Sequence, residues 1–406
     1  MISTVFRSRR IVFAHCMIVV SVFLFAAIGS AEENPFSVPT ELRRAVEFWK
    51  QIFTQFGARD VIFFDPMDPE KIYSVLPVAE NEEGRAIIEK ERARIIADYE
   101  LNPEEGRIRT QRGAKELFLS GLKMSGRYLS QMQNIFRSEG LPPDLAYLPL
   151  VESSFNVRAR SSVGAAGMWQ FMPETGRKFL RIDNAVDERL DPLMSTRAAA
   201  RLLKENYKLL GNWSLAITAY NHGTEGIFNG INAVGSQNLV DLIRRYQSPT
   251  FGFASKNFYA EFLAATEVAK NSDAYFPFFR SLRPRSFHEI AINRSLPIQS
   301  LLKPAAISST DFFDWNPAIS PTAKFFPVGY RIKVPAEKFD SFMAAQRRLL
   351  SAPSGQGKKV SAVAKRSDQP MIEKRSTGKR ALVKRKGTNR QTITGLPASR
   401  SAAKQA

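Results

Sequence analysis

Three short segments in the middle of the chain carry most of its structural information: Glu152-Ser153-Ser154-Phe155-Asn156, then Gly164-Ala165-Ala166-Gly167-Met168-Trp169-Gln170-Phe171-Met172-Pro173, and then Ala219-Tyr220-Asn221. The first segment follows Leu145–Val151, a run that is almost wholly apolar. A carboxyl group at the end of such a run is poorly solvated and holds its proton near neutral pH, which suits a general acid. A second interpretation stays open, in which Glu152 ends a helix and pairs with Arg158 or Arg160.

The second and third segments contain residues that suit ligand contact, although each is weak by itself. Small residues from Gly164 to Gly167 allow a close approach of the backbone, and the Gln170 amide offers a donor and an acceptor. Trp169 could stack on a sugar, but its apolar setting is more typical of a core residue. Tyr220 can place a phenol beside a carboxyl, whereas Asn221 at a helix end can serve as a simple cap.

In this order and at this spacing, the three segments resemble the motifs of lytic transglycosylases of the soluble-lytic-transglycosylase (SLT) type. The resemblance extends over roughly residues 110–280. Flanking sequences at 46–49, 109–113 and 125–128 are similar to the membrane-bound lytic murein transglycosylase D branch of that family. The family has a lysozyme-like, α-helical catalytic domain that cleaves peptidoglycan, and the same is therefore expected here.

The resemblance also implies a role for each matching residue. Glu152 would be the catalytic acid and base, Ser153 would help to position the substrate, and Gln170 would line the site. Tyr220 and Asn221 would support the glutamate and the N-acetyl group of the sugar. Two differences from the family pattern affect the site: Met168-Trp169 replaces the commoner Leu-Met, and His222 stands where a small residue is usual. We assign His222 no catalytic role.

The implied reaction breaks the β-1,4 bond between MurNAc and GlcNAc and forms 1,6-anhydro-MurNAc, so that one glutamate suffices where most glycosidases need two carboxylates. Other carboxylates follow the second motif; we interpret Asp191 as a helix N-cap before Pro192, and Asp183, Asp187 and Glu188 as a solvated, arginine-paired segment. Two alternatives remain open: a lysozyme-type hydrolase that uses water, and a peptidoglycan-binding scaffold without activity.

Periodicity and composition predict a mainly α-helical protein in five parts. They are a signal peptide (1–31), a helical N-terminal extension (32–112), the lysozyme-like domain (113–282), a small module (283–348) and a basic disordered tail (349–406). The small module has the β-α-α-β pattern of a LysM glycan-binding domain, carried by residues 312–317 and 327–335, but lacks the usual opening. Glycan binding and simple packing are equally compatible with it.

Charge and composition limit the partners. Of the net charge of +19, +12 falls on 351–406 and +3 on 1–31, which leaves only +4 for the folded part and argues against a nucleic-acid-binding fold. The tail could hold anionic envelope polymers or a membrane surface, or simply be solvated. One cysteine and three histidines leave little for a metal centre, and we predict neither metal nor cofactor. Peptidoglycan glycan strands are the expected partner.

The N-terminus has the pattern of an export signal. Arg7, Arg9 and Arg10 precede an apolar run over 11–28, and the small residues 29–31 resemble a cleavage site. An uncleaved membrane anchor is the alternative. In either case we expect the rest of the chain in the periplasm or cell envelope.

Overall fold

The computed structural model describes residues 35–351, so the predicted signal peptide and nearly all of the predicted basic tail lie outside the described residues. The mainly helical class is confirmed. The helices and strands up to residue 112 are α1 (Arg43–Thr54), β1 (Asp60–Asp65), β2 (Asp68–Pro77), α2 (Glu82–Asp98) and β3 (Arg109–Arg112).

The N-terminal extension contains a three-stranded sheet as well as the helices α1 and α2, and its prediction as helical is therefore wrong in part. The strands are antiparallel in the order β2-β1-β3. The central strand β1 is apolar without alternation because it is covered on both faces: Ile62 and Phe64 face one core, and Val61 and Phe63 face another.

The middle of the chain is a set of helices around one core. The helices are α3 (Lys115–Ser125), α4 (Leu129–Ser138), α5 (Pro149–Ser153), α6 (Pro173–Arg177), α7 (Pro192–Leu210), α8 (Trp213–His222), α9 (Thr224–Val234), α10 (Leu239–Arg245), α11 (Phe253–Lys270) and α12 (Ser272–Tyr275). The apolar helix α11 is central, because it packs against α1, α5 and α8. The predicted cap of α7 is confirmed, since the Asp191 carboxylate accepts hydrogen bonds from the backbone N–H groups of Leu193 and Met194.

The C-terminal module contains β4 (Phe287–Ala291), α13 (Ile298–Leu302), α14 (Ser309–Trp315), β5 (Arg331–Pro335) and α15 (Phe339–Ser351). The two strands pair antiparallel, which confirms the predicted β-α-α-β order. Helix α15 was not predicted, and it extends three residues into the segment assigned to the tail. Val186 from the middle of the chain is buried in the core of this module.

The described residues 36–351 belong to one compact unit, so the helical core and the C-terminal module are parts of the same body. Within residues 35–351, no helix combines the length and the apolar character needed to cross a bilayer.

Candidate active site

Glu152 lies on the one-turn helix α5, and its side chain is almost wholly buried, with 4% of the residue exposed. The chain turns sharply just after it, because Ser154 and Phe155 both adopt left-handed conformations with φ of 50° and 58°. Such conformations are costly for residues with a side chain and occur mostly where the surroundings impose them. Helix α3 fits closely over this turn at Gly121, where an added Cβ would lie 3.0 Å from the Ser154 Cα.

Ser153 joins the first motif to the second. Its hydroxyl donates a hydrogen bond to the Met168 carbonyl oxygen at 2.8 Å, and the residue is 2% exposed. The hydroxyl proton is thus committed to the protein backbone. The described arrangement gives Ser153 a part in holding the site together, in addition to any contact that it makes with substrate.

Hydrogen bonds from Arg189 hold the glycine-rich turn, residues 164–167, in place. The buried guanidinium donates to the carbonyl oxygens of Gly164 and Phe171, at 2.8 and 3.0 Å, and forms a two-pronged ion pair with Asp187. Gly167 has φ of 78°, and a Cβ at this position would lie only 1.7 Å from the Arg189 carbonyl oxygen. The turn can therefore lie against residues 187–190 only with glycine at 167.

Gln170 follows this turn and carries an acceptor without a hydrogen-bond partner among the described residues. It is 5% exposed, and its φ of 48° is also left-handed. Its Nε2 donates to the Gly167 carbonyl oxygen at 2.7 Å, whereas the buried Oε1 has no partner. A buried amide oxygen normally accepts a hydrogen bond, so this atom is suited to a donor group of a ligand or to a water.

Trp169 is a core residue, as the apolar sequence around it indicates. It is fully buried, and its Nε1 donates to the Thr196 hydroxyl at 2.9 Å. Because the ring is inaccessible, Trp169 does not offer a face for stacking on a sugar.

Tyr220, at the end of α8, links the third motif to the second. Its hydroxyl donates to the Trp169 carbonyl oxygen at 2.8 Å, so its proton is directed to the backbone rather than to a carboxylate. Burial and then the negative charge of Glu152 raise the pKa of Tyr220 well above its usual value. The phenol therefore lies within the electrostatic reach of Glu152, and it stays neutral.

Asn221 and His222 both contact helix α11. The Ser255 hydroxyl donates to the Asn221 Oδ1 at 2.9 Å and lies 3.4 Å from the His222 Nδ1. Asn221 lies near the end of α8, and its side chain also contacts α11. The role of a simple helix cap, which the sequence left open, therefore does not account for all its contacts. The His222 ring packs edge-on against Phe251, with 5.0 Å between ring centroids.

Sequence reasoning missed Glu261, a second buried carboxyl on α11. It is 4% exposed, and burial, followed by the charge of Glu152, raises its pKa to about 8. Glu261 is consequently protonated and neutral at neutral pH. The signal in the sequence is a single acidic residue within the apolar run Phe258–Ala265.

The carboxylates after the second motif form a structural segment. The arginine pairing is confirmed for Asp183 with Arg181 and for Asp187 with Arg189. The expected solvation of Glu188 is wrong: it is 9% exposed and accepts a hydrogen bond from the Arg181 backbone N–H. Asp183 is exposed, whereas residues 188–190 are buried between the glycine-rich turn and the rest of the fold.

Comparison with known proteins agrees with the motifs. Residues 132–240 match the family model described as Transglycosylase SLT domain. Membrane-bound lytic murein transglycosylase D of Escherichia coli (strain K12) is 29% identical over 179 residues, which are 43% of this chain and 39% of that protein. A putative tributyltin chloride resistance protein of Alteromonas sp. (strain M-1) is 35% identical over 109 residues, which cover 26% of this chain and 53% of the relative.

Two solved structures are also similar. They are an inactive mutant of the lytic transglycosylase Slt of Pseudomonas aeruginosa, with a TM-score of 0.31 and 22% identity, and the 70 kDa soluble lytic transglycosylase of Escherichia coli, with a TM-score of 0.30 and 20% identity. Each match covers 36% of this chain and 24% of the other.

The chain spans 39% and 53% of the length of these two relatives. The segment that matches the family model contains all three motifs. Residues 132–240 therefore belong to the transglycosylase SLT domain family.

Proposed function

We propose that the protein is a peptidoglycan lytic transglycosylase with Glu152 as its single catalytic acid and base. One observation carries the proposal: within the segment that matches the SLT family, Glu152 is buried where the three motifs meet. The bond from Ser153 to Met168 joins the first motif to the second, and the bond from Tyr220 to Trp169 joins the third to the second. Three separate segments thus support one carboxyl group.

The reaction needs no second carboxylate. Glu152 donates its proton to the oxygen between MurNAc and GlcNAc, and the bond from that oxygen to the MurNAc C1 breaks. The N-acetyl carbonyl of MurNAc stabilises the positive charge at C1. The Glu152 carboxylate then takes the proton of the C6 hydroxyl, whose oxygen attacks C1 and closes the 1,6-anhydro ring. The proton balance returns Glu152 to its starting form, and water is not consumed.

Glu261 fits a single-carboxylate mechanism. Its raised pKa keeps it neutral at neutral pH, so it provides no second negative charge or nucleophile beside the sugar. A water-using hydrolase would employ the same Glu152 and differs only in the group that attacks C1.

The proposal also covers the two ends of the chain and the other residues of the three motifs. We propose export to the cell envelope by the N-terminal 31 residues, with peptidoglycan glycan strands as the substrate. The basic tail would associate with anionic envelope polymers or a membrane surface by screened charge. Ser153, Gln170, Tyr220 and Asn221 would bind or orient the sugar around Glu152.

The proposal is tested by Glu152→Gln, which keeps the shape of the side chain but removes the acid proton. We expect turnover of purified sacculi to fall about a thousandfold, within the range for loss of a general acid, while the melting temperature stays near that of the wild type. The matched control is Glu205→Gln, an exposed position on α7, which should leave turnover unchanged. A well-folded Glu152→Gln protein with near-normal activity would contradict the assignment.

A further inference from the structure

The beginning of helix α11, residues 253–257, lies between the third motif and the N-terminal extension. On the side of the motif, the buried residue Ser255 contacts Asn221 and His222 at the end of α8. Gly252 precedes the helix and provides no side-chain cap for its first N–H groups. A helix end without such a cap frays easily, so the position of Ser255 depends on contacts with other elements.

The N-terminal extension supplies these contacts. The Arg109 guanidinium of β3 lies over the Phe253 ring, with 4.1 Å between the guanidinium carbon and the ring centroid, which is a cation–π contact. The Trp49 Nε1 of α1 donates to the Asn257 Oδ1 at 3.2 Å. The Asn257 Nδ2 in turn donates to the Phe253 carbonyl oxygen at 3.0 Å. Helix α1 and strand β3 therefore both hold this end of α11.

The Ser255 hydroxyl has a single proton, and this decides the polarity of its two contacts. It donates that proton to the Asn221 Oδ1 at 2.9 Å. Its contact of 3.4 Å with the His222 Nδ1 must then use the hydroxyl oxygen as acceptor, which places the imidazole proton on Nδ1. The bond at Oδ1 also fixes the rotation of the Asn221 amide, so that its Nδ2 donor is turned away from Ser255.

We propose that Ser255 is a positioning residue that orients the Asn221 amide toward the sugar, and that the N-terminal extension keeps Ser255 in place. The inference rests on the proposed function, in which Asn221 supports the N-acetyl group of the substrate, and extends it to residues outside the three motifs. An amide that is already held in one rotation loses less entropy when the sugar binds. The N-terminal extension then acts on the site through the beginning of α11.

A double-mutant cycle tests whether Ser255 acts through Asn221. On purified glycan strands, Ser255→Ala should lower kcat/KM about tenfold, as for loss of one hydrogen bond, and Ser255→Thr, which keeps the hydroxyl, should retain most of the activity. When Asn221 is already replaced by Asn221→Ala, adding Ser255→Ala should cost less than about twofold, because the group that it orients is gone. Ser195→Ala is the control: it removes a buried hydroxyl that donates to the Asp191 carbonyl oxygen, and it should leave kcat/KM of the folded protein unchanged.

Equal losses from Ser255→Ala with and without the Asn221 side chain would overturn the proposal, because a role of Ser255 in packing alone predicts them.

A spectroscopic measurement makes the test independent of cleavage. The chain has three histidines, so nitrogen-15 labelling of histidine gives few ring signals, and His222→Gln identifies those of His222. At about pH 8.5, where imidazole is neutral, we expect the proton on Nδ1 in the wild type and in Ser255→Thr, and a redistribution toward Nε2 in Ser255→Ala. A wild-type proton on Nε2, or an unchanged signal in Ser255→Ala, would overturn the assignment. If the wild type cleaves no glycan, the proposed function fails, and this measurement alone decides whether Ser255 sets the geometry.

The part of the N-terminal extension is tested by Trp49→Phe, which keeps an aromatic ring but removes the donor to Asn257. We expect about threefold lower kcat/KM and a shift of the His222 signals in the direction seen for Ser255→Ala, because the beginning of α11 is held less firmly. Trp315→Phe, on α14 of the C-terminal module, is the matched control and should change neither. Wild-type kcat/KM together with wild-type His222 signals in Trp49→Phe would overturn the part assigned to the extension.

Discussion

Glu152 and Glu261 are two buried carboxyl groups that interact electrostatically but lie on different helices. Glu152 is presented by the short helix α5, whereas Glu261 lies in the middle of the long helix α11. A negative charge is costly in a poorly solvated region, and a second like charge nearby adds to the cost. Burial, followed by the charge of Glu152, raises the pKa of Glu261 to about 8.

The raised pKa of Glu261 predicts that the stability of the folded protein depends on pH. The pKa of Glu261 is raised above its ordinary value of 4.5, so its contribution to stability is fully present below about pH 4.5 and is lost as pH rises to about 8. The loss amounts to at most about 5 kcal/mol. Glu261→Gln imitates the protonated group and should lack this component. Urea unfolding at pH 5, 6, 7 and 8 should show the variant gaining on the wild type as pH rises.

The exposed variant Glu205→Gln is the control and should follow the wild-type pH dependence. Parallel curves for the wild type and Glu261→Gln would mean that Glu261 does not hold a proton in the folded state.

At the scale of elements, the glycine-rich turn depends on the segment beneath it. Gly167 contacts the backbone of Arg189. The Arg189 guanidinium also donates hydrogen bonds to the carbonyl oxygens of Gly164, within the turn, and Phe171, just after it. A change at the contact point therefore disturbs both segments together.

We expect Gly167→Ala to destabilise the protein by about 2–5 kcal/mol, because it combines a left-handed conformation with a steric clash. Gly164→Ala in the same turn is the matched control. It has φ of 90°, but its nearest neighbour would be a Pro173 carbon at 3.8 Å, so only the conformational cost of about 1–2 kcal/mol applies. Chemical denaturation of both variants measures the difference. Equal losses would show that the clash with Arg189 is relieved by local movement.

Some elements could be predicted from the sequence and others could not, for physical reasons. The cap of α7 and the strands of the C-terminal module have local signals, namely Asp191-Pro192 and the alternation at 330–334. Strand β3 is a polar stretch of four residues that is defined by its pairing with β1, a contact between distant segments. Likewise, the apolar spacing over residues 117–136 is typical of one continuous helix. The chain nevertheless breaks at Gly126, where the Leu282 carbonyl oxygen would lie 2.2 Å from an added Cβ.

The candidate site, like the fold, could be predicted from the sequence only where the signal is local. The motifs identified Glu152, Gln170 and Tyr220 as residues that the fold brings into one region. The hydrogen-bond partners of Ser153 and Tyr220 and the proximity of Glu261 depend on how α5, α8 and α11 pack, which no local pattern encodes.

At the scale of the whole molecule, the C-terminal module is fastened to the helical core through Asp191. The carboxylate is fully buried and accepts hydrogen bonds from the Tyr330 hydroxyl, at 2.6 Å, and from the Lys333 ammonium. Burial alone would raise the pKa of Asp191, but the Lys333 charge and these hydrogen bonds outweigh it and lower the pKa. The module that resembles a LysM domain is therefore an integral part of this body.

Lys333→Ala should destabilise the protein by about 3–5 kcal/mol, because it leaves the Asp191 charge buried without a partner. Lys324→Ala, an exposed lysine of the same module, should have little effect. The double variant Asp191→Asn/Lys333→Met should recover much of the loss, since asparagine can still cap α7 and no charge remains buried. Thermal and urea unfolding measure all three. A mild effect of Lys333→Ala would contradict the fastening role of this ion pair.

The chemistry assigned to Glu152 is tested most directly by the products released from purified sacculi in isotopically labelled water, analysed by mass spectrometry. The account predicts muropeptides that end in 1,6-anhydro-MurNAc, are one water lighter than the reducing forms, contain no label, and are absent with Glu152→Gln. Reducing ends that carry the labelled oxygen would contradict it and identify a hydrolase, and the same products from Glu152→Gln would show that another residue supplies the proton.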